Sequence, residues 1–264
     1  MKPVRAPDLR AMKAGGVKIT VLTAYDANMA RLLDRAGIDV ILVGDSLGMV
    51  VLGYDTTLPV TLDMMIHHTK AVRRGAKRPL IVADMPFLSY QISPEEAIRN
   101  AGRLVQEGGA AAVKLEGGRR VVDVVRRLTE MGIPVMGHLG LTPQSVHAIG
   151  GFRPQAQDQD SGAQLQADAK ALEKAGAFAI VLESIPAALG KQVTAGIQIP
   201  TIGIGAGPHC DGQVLVSHDA FGLFDGPVPP FVRQYAQLGE ALLVATRAYI
   251  EDVRSGRFPE EQHG

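Results

Sequence analysis

The feature that most constrains the fold is a series of short, apolar, β-branched runs that recur along the 264 residues. Eight runs have the length and composition of strands, and segments of helical pattern mostly separate them. They are Ile19–Tyr25, Val40–Gly44, Leu80–Asp84, Ala112–Glu116, Pro134–His138, Phe178–Glu183, Thr201–Gly205 and Val214–His218. Because these runs lack polar alternation, they predict parallel strands that helices cover on both faces. Eight such strands favour a single (β/α)8 TIM barrel over an open doubly wound sheet, although periodicity does not itself show closure.

Helix signals fall between the strands. Thr61 is placed to begin one helix, and Ser93 followed by Pro94 has the pattern of a helix N-cap with proline at the first helical position. The polar stretch from Gly150 to Gly162 is too irregular for a helix and predicts a loop, of the length that often forms a functional lid. A last helix is predicted at roughly Phe231 to Arg254. We therefore expect one domain over residues 1–264, with an N-terminal extension and a C-terminal helix.

Charge and cysteine content indicate which binding partners and which cellular compartment to expect. The chain has 27 basic and 27 acidic residues and a formal net charge of zero, so no polybasic field favours nucleic acid or an anionic membrane. Cys210 is its one cysteine and has no partner for an intrachain disulfide, which favours a reducing cytoplasm. The first residues lack the apolar run of a secretory signal, and no stretch of about eighteen apolar residues predicts a membrane span.

Polar residues stand at the carboxyl ends of five predicted strands. Asp45 and Ser46 follow the second strand, Asp84 ends the third, and the last positions of the next three are Glu116, His138 and Glu183. In a (β/α)8 barrel the carboxyl ends of all strands form one rim, where active sites are built. Residues two apart point to the same side of a strand, so Lys114 would accompany Glu116. The sequence therefore predicts a polar site at this rim.

The acidic residues of this group suggest a metal site. Asp45, Asp84 and Glu116 offer hard oxygen ligands of the kind that Mg²⁺ prefers, whereas no histidine pair or cysteine cluster offers a zinc site. Oxygen ligands also accept Mn²⁺ and Co²⁺, so the sequence does not choose among these ions. An acid after a strand is commonly just a helix N-cap, but its recurrence on consecutive strands favours a shared site.

The remaining polar residues have both structural and functional interpretations. Lys114 could pair with Glu116 or Asp84 only to balance charge, and His138 could be a hydrogen-bonded core histidine. Glu183 follows the apolar run Ile180–Leu182, a setting in which a carboxylate can act as general base on a carbon acid.

At these residues the sequence resembles the ketopantoate hydroxymethyltransferase family, and the resemblance extends over nearly the whole chain. The matching blocks include Thr23–Asp26, Val43–Met49, Thr57–Thr61, Ala83–Phe87, Val113–Gly118, Gly137–Gln144, Ile202–Gly207, Asp211–Gln213 and His218–Asp219. The resemblance implies a (β/α)8 barrel, Mg²⁺ dependence and a homodecamer built from two rings of five. It also implies transfer of a hydroxymethyl group from 5,10-methylenetetrahydrofolate to 3-methyl-2-oxobutanoate, giving ketopantoate in the first step of pantothenate biosynthesis.

The resemblance also implies roles for individual residues. Asp45, Asp84 and Glu116 would bind one Mg²⁺ per subunit, with Asp45 and Asp84 also lying against the substrate. Ser46 and Lys114 would contact the oxo acid, His138 could hydrogen-bond it, and Glu183 would be the catalytic base. The segment from Gly150 to Gln155 departs from the family's usual sequence there.

Three other functions remain open at the level of sequence. The first is a Mg²⁺-dependent lyase or mutase acting on phosphoenolpyruvate or isocitrate-like acids on a related barrel, although such chemistry favours a cysteine near the site and Cys210 lies in no such motif. The second is an aldolase in which Lys114 forms a Schiff base with its substrate. The third is a non-catalytic barrel that binds small acids, which the intact set of four acids disfavours.

Overall fold

The eight strands close into a parallel barrel, as the computed structural model of residues 2–260 shows. Each strand pairs with the next along the chain, and β1 pairs with β8 to complete the ring. The strands are β1 Ile19–Thr23, β2 Val40–Val43, β3 Leu80–Asp84, β4 Ala112–Glu116, β5 Val135–Gly140, β6 Ala179–Glu183, β7 Thr201–Ile204 and β8 Gly212–Leu215. The predicted (β/α)8 barrel is confirmed.

The largest difference between predicted and observed strand bounds concerns β8, which begins at Gly212 rather than at Val214. Gly212 pairs with Ile19, and an added Cβ would lie 2.5 Å from the Ile19 carbonyl oxygen, so the close approach of β1 requires glycine here. A glycine followed by a glutamine has no β-branched signal, and the strand was therefore placed too late. Its predicted last residue, His218, lies instead in a short helix.

Helices follow each of the first six strands and cover the barrel, whereas a loop alone joins β7 to β8. The helices are α1 Ala6–Ala14, α2 Ala27–Ala36, α3 Leu47–Val50, α4 Leu62–Gly75, α5 Pro94–Gln106, α6 Val122–Glu130, α7 Val146–Ile149, α8 Gln159–Lys174, α9 Ala187–Gly196, α10 Ser217–Ala220 and α11 Leu238–Arg254. Thr61 and Ser93 cap α4 and α5 through bonds from Met64 N and Glu96 N, as their positions predicted.

Two helix boundaries differ from the prediction. The loop expected as far as Gly162 ends earlier, because the Asp158 carboxylate accepts a bond from Ser161 N and caps α8 at Gln159. The last helix begins at Leu238 rather than near Phe231. The residues before Leu238 form other backbone hydrogen bonds. Tyr235 N donates to Ala220 O over 2.7 Å, so this segment does not form part of α11.

Alternation along the strands fills the barrel interior with apolar side chains. The interior cluster comprises Ile19, Val21, Val40, Leu42, Leu80, Val82, Ala112, Met136, Ala179, Val181, Ile202 and Val214. Ala6 and Leu9 of α1 belong to the same cluster and pack at the amino ends of the strands. With that end filled by apolar residues, the space for polar chemistry lies at the carboxyl ends.

The chain divides into two compact units, one through Leu215 and one from Val216 onward. The first contains the barrel. The second contains α10 and α11, and no residue of α11 is buried. In residues 2–260, none of the helices has the length and apolar character needed to cross a membrane. The expectation of a single domain with a C-terminal helix stays a prediction.

Candidate active site at the carboxyl ends of the strands

Strand alternation directs five polar side chains into the barrel interior. Val82, Ala112, Met136 and Val181 are interior residues, and the polar residues stand two or four positions beyond them on the same strands. These polar residues are Asp84, Lys114, Glu116, His138 and Glu183. Together with Asp45, which follows β2, we call these six residues the polar cluster. All are buried except Glu183, whose side chain is 15% exposed.

Asp84 contacts two other members of the polar cluster, Lys114 and Asp45. The Lys114 Nζ lies 2.6 Å from Asp84 Oδ1 in a buried ion pair. Asp45 N donates to Asp84 Oδ2 over 3.1 Å. An added Cβ at Gly44 would lie 2.7 Å from Ser46 Oγ and 3.5 Å from Asp84 Oδ2, so glycine here leaves room for the Ser46 hydroxyl near Asp84. Ser46 is thus placed beside Asp84, and its hydroxyl is 2.9 Å from the hydroxyl of Tyr25.

Gln144 joins two carboxylates of the polar cluster, and sequence reasoning did not assign it to the site. Its side-chain amide donates to Asp45 Oδ2 over 2.9 Å, and its backbone N–H donates to Glu116 Oε2 over 3.0 Å. The amide also donates to Met85 O, while the Tyr90 hydroxyl donates to Gln144 Oε1 over 2.7 Å. One buried side chain therefore fixes the positions of Asp45 and Glu116 relative to each other.

His138 stands between the two glutamates. Its Nδ1 is 3.6 Å from Glu116 Oε1 and its Nε2 is 3.1 Å from Glu183 Oε2. Register explains the placement, because His138 is paired with Glu116 across β4 and β5, and Gly140 is paired with Glu183 across β5 and β6. A histidine at this position can orient Glu183, in addition to the substrate contact that the sequence suggested.

The polar cluster contains more negative charge than its cations offset. Burial, followed by the charge of Asp84, raises the pKa of Asp45 to about 7, while Lys114 acts in the opposite direction. Burial, followed by the charge of Asp45, also raises the pKa of Glu116 well above its usual range. For Lys114 burial lowers the pKa, but Asp84, Glu116 and Asp45 together hold it above its ordinary value. The lysine is therefore a persistent cation among competing carboxylates.

The donor chemistry of the polar cluster fits a hard divalent cation. Asp45, Asp84 and Glu116 are buried oxygen donors, and the raised pKa values of Asp45 and Glu116 show that ionising all three is unfavourable without further positive charge. A divalent ion would supply that charge. Within residues 2–260, no group of three or more acidic, histidine or cysteine side chains is already arranged around a single metal position.

A cavity of about 720 Å³ opens beside the polar cluster, and we call it the rim cavity. Glu116 and Gln144 form part of its wall, and the segment that the sequence marked as an irregular loop contributes Gln155 and Ala156. Gln155 N donates to Ser184 O over 2.8 Å, which ties this segment to the end of β6. Three non-glycine residues of the described chain have positive φ, namely Leu88, Ala156 and Ser184, and each lies beside the cavity or a strand end. Backbone strain of this kind is concentrated at functional sites.

Comparison with known proteins places the chain in a family. The family model described as ketopantoate hydroxymethyltransferase matches residues 3–261. The 3-methyl-2-oxobutanoate hydroxymethyltransferase of Moorella thermoacetica is 60% identical over 98% of this chain and 97% of its own. The enzyme of that name from Syntrophus aciditrophicus is 56% identical over 97% of this chain and 94% of its own.

Solved structures with similar folds are more distant in sequence. A 2,3-dimethylmalate lyase superposes with a TM-score of 0.63 at 18% identity, covering 97% of this chain and 92% of its own. A phosphonopyruvate hydrolase superposes with a TM-score of 0.64 at 14% identity, covering 98% and 93%. At this level of identity the likeness concerns the barrel fold alone.

Proposed function

The chain belongs to the ketopantoate hydroxymethyltransferase family, and we propose that its polar cluster performs the chemistry of that family. The activity is the transfer of a hydroxymethyl group to 3-methyl-2-oxobutanoate, which gives ketopantoate in the first step of pantothenate synthesis. The proposed donor is 5,10-methylenetetrahydrofolate. The observation that most supports the assignment of residues is the continuous set of contacts from Asp45 through Gln144, Glu116 and His138 to Glu183.

Binding of the oxo acid is assigned to the Asp84 side of the polar cluster. The substrate is an anion, so a buried site must offer it positive charge. Lys114 supplies that charge, because its neighbouring carboxylates keep its ammonium group protonated. Ser46 lies beside Asp84 at the start of α3, where its hydroxyl can donate to a substrate oxygen. Asp45 and Asp84 then border the same substrate from two strands.

Glu183 is the proposed base. It lies at the end of β6, partly exposed, and its Oε2 is 3.1 Å from His138 Nε2. In the proposed reaction its carboxylate takes the proton from C3 of the oxo acid, and the electron pair of that C–H bond becomes the nucleophile. The methylene carbon of the folate forms one bond to this carbon and one to the oxygen of a water molecule, while both of its bonds to the folate nitrogens break. The two nitrogens take up the proton from C3 and one proton of the water, so tetrahydrofolate leaves. Lys114 offsets negative charge that develops on the substrate oxygens.

Mg²⁺ is the proposed resident cation, with Asp45, Asp84 and Glu116 as its protein ligands. When bound, it would stabilise negative charge on the carboxylate and keto oxygens of the substrate. Gln144 acts through these ligands as a positioning residue, because it holds Asp45 by its side chain and Glu116 by its backbone.

The same geometry disfavours a Schiff-base aldolase. An amine must be neutral to attack a carbonyl carbon, and the carboxylates around Lys114 raise the pKa of its ammonium group. Lys114 is also held by a 2.6 Å contact to Asp84. For a lyase or mutase mechanism that uses a cysteine, the only candidate is the buried Cys210, which lies in the loop between β7 and β8. Burial raises the pKa of this thiol and lowers its reactivity.

We also propose that the enzyme is a cytoplasmic homo-oligomer, in the form of a homodecamer. The support lies in α11, which has no buried residue and exposes a band of large apolar side chains. These are Leu238, Leu242, Leu243, Val244, Tyr249, Ile250 and Val253. Several large apolar side chains exposed on one helix are typical of an interface.

A direct assay tests the assignment of substrate, donor and metal together. Purified protein is incubated with 3-methyl-2-oxobutanoate, 5,10-methylenetetrahydrofolate and Mg²⁺, and ketopantoate is followed by proton NMR. We expect product in the complete mixture, loss of product when EDTA is added, and recovery when excess Mg²⁺ is restored. Product formation that EDTA leaves unchanged would contradict the metal assignment, and absence of product in the complete mixture would contradict the donor or substrate.

A further inference from the structure

We propose that the rim cavity binds the folate donor, with its pterin edge at Asp168 and its glutamyl tail at Arg120. This inference rests on the proposed function, since it takes the donor to be a reduced folate. Location gives the first argument. Carbon–carbon bond formation requires the methylene carbon to reach the oxo acid at the polar cluster, and the rim cavity shares Glu116 and Gln144 with that cluster.

A second cavity fails this requirement. Its volume is about 570 Å³, and it is lined by Pro134, Phe178 and Ile199, which precede β5, β6 and β7. It therefore lies at the amino ends of the strands, on the far side of the interior apolar cluster from Glu183. The rim cavity, at about 720 Å³, is within the range of about 300–1,000 Å³ that is typical of small-molecule sites. That volume also exceeds what a small oxo acid needs.

The apolar wall of the rim cavity suits a flat ring system. Phe87, Leu139 and Leu165 line it, and Phe87 is an aromatic side chain that remains 37% exposed. An aromatic ring left open to solvent beside a cavity can stack on a planar heterocycle. The aminobenzoyl and pterin rings of a folate are planar and largely apolar on their faces, whereas the oxo acid has no such group.

A carboxylate in the cavity wall suits the pterin edge. Asp168 lines the cavity, and its Oδ1 accepts from Arg119 N, Arg119 Nε and Gln164 Nε2 at 2.8–3.2 Å. Its Oδ2 accepts no hydrogen bond from any residue between 2 and 260, although the side chain is only 17% exposed. The pterin edge presents adjacent N–H donors from a ring nitrogen and an amino group, which match a carboxylate that is held in place.

Glycine at position 118 preserves this acceptor. An added Cβ would lie 2.2 Å from Asp168 Oδ2, so any other residue would displace the carboxylate from the cavity wall.

The anionic tail of the folate requires a cation in the cavity as well. Arg119 is already paired with Asp168. Arg120 lines the same cavity, is exposed, and makes no ion pair or side-chain hydrogen bond within residues 2–260, so it is available to the glutamyl carboxylates.

The test measures folate binding directly, without turnover. Tetrahydrofolate, which lacks the one-carbon unit, is titrated into the full-length protein by calorimetry. We expect Asp168→Asn and Arg120→Gln each to weaken its binding by about tenfold to a hundredfold, because each removes a charge-assisted contact. Arg10→Gln is the matched control: Arg10 is an exposed arginine that lines the other cavity, and its loss should leave the affinity unchanged.

Wild-type affinity in both Asp168→Asn and Arg120→Gln, or an equal loss in Arg10→Gln, would overturn the proposal. Arg120 is exposed, so Arg120→Gln is expected to fold even if Asp168→Asn does not, and thermal melting of each variant checks this. Proton exchange at C3 of the oxo acid by the wild-type protein is measured separately. Absence of that exchange together with normal tetrahydrofolate binding would contradict the chemistry proposed for the polar cluster and leave the folate assignment standing.

Discussion

Replacing Gln144 with methionine tests whether one side chain organises the polar cluster. Methionine has a similar length but no amide, so the change removes the donor to Asp45 Oδ2 and the acceptor for the Tyr90 hydroxyl. It also leaves the carbonyl of Met85 without this partner. A hydrogen bond to a charged group contributes about 1.5–3 kcal/mol, and a neutral one contributes about 0.5–1.5 kcal/mol. Some of the loss is recovered, because the Tyr90 hydroxyl is also 3.3 Å from Glu116 O.

We therefore expect Gln144→Met to lower the free energy of unfolding by about 3 kcal/mol. Because Asp45 would lose a partner that fixes its position, Mg²⁺ binding should weaken by about tenfold to a hundredfold. Urea unfolding in EDTA at about pH 8, above the pKa of Asp45, measures the first quantity, and calorimetric Mg²⁺ titration at the same pH measures the second. Gln91→Met is the matched control, since the exposed Gln91 makes only two long side-chain bonds, to Gln144 Oε1 at 3.1 Å and from Tyr90 N at 3.4 Å. Its loss should cost no more than about 0.5 kcal/mol. A Gln144→Met variant with wild-type stability and Mg²⁺ affinity would refute the positioning role.

Two further predictions concern charge and assembly. Asp45 has a pKa of about 7 in the folded protein against an ordinary 3.8, so between these values the metal-free folded protein keeps a proton that the unfolded chain releases. The protonated Asp45 therefore stabilises the folded state fully below about pH 4, and this stabilisation is lost as the pH rises through about 7. In EDTA, Asp45→Asn should therefore gain stability relative to wild type between about pH 4 and pH 8 in urea unfolding; a constant difference would contradict the charge assignment. Leu242→Glu, on the exposed face of α11, should reduce the mass measured by light scattering, whereas Glu240→Gln on the same helix should not. An unchanged mass for Leu242→Glu would exclude this face as an interface.

The sequence predicted the barrel well because its strands obey a simple pattern. Strands β3 and β4 were placed at their observed bounds, since each is a short, mainly apolar run that is buried along its whole length, as in parallel strands covered on both faces. The convergence of Asp84, Glu116 and Glu183 also follows from such patterns, because residues at strand ends share a rim. Their catalytic roles stay predictions.

Other features of the site depend on contacts that a linear pattern does not contain. Gln144 lies in a 3₁₀ turn after β5, and nothing in its local sequence indicates that its side chain reaches Asp45, ninety-nine positions away along the chain. Tyr90 likewise follows β3 without any periodic signal, and its contact with Gln144 exists only in the folded barrel. The rim cavity requires the end of β4, the turn after β5 and the loop before α8 to meet, which tertiary packing alone determines.

The most direct test of the central claim is proton exchange at C3 of 3-methyl-2-oxobutanoate in D₂O, followed by proton NMR with Mg²⁺ present and folate omitted. The proposed mechanism predicts loss of the C3–H signal with the wild-type protein. It also predicts at least a hundredfold slower loss with Glu183→Gln, since removal of a general base costs about 10²–10⁴-fold. Binding of the oxo acid by the same variant, measured by calorimetry, should persist. Exchange by Glu183→Gln at the wild-type rate would contradict the assignment of Glu183 as the base at the carboxyl ends of the strands.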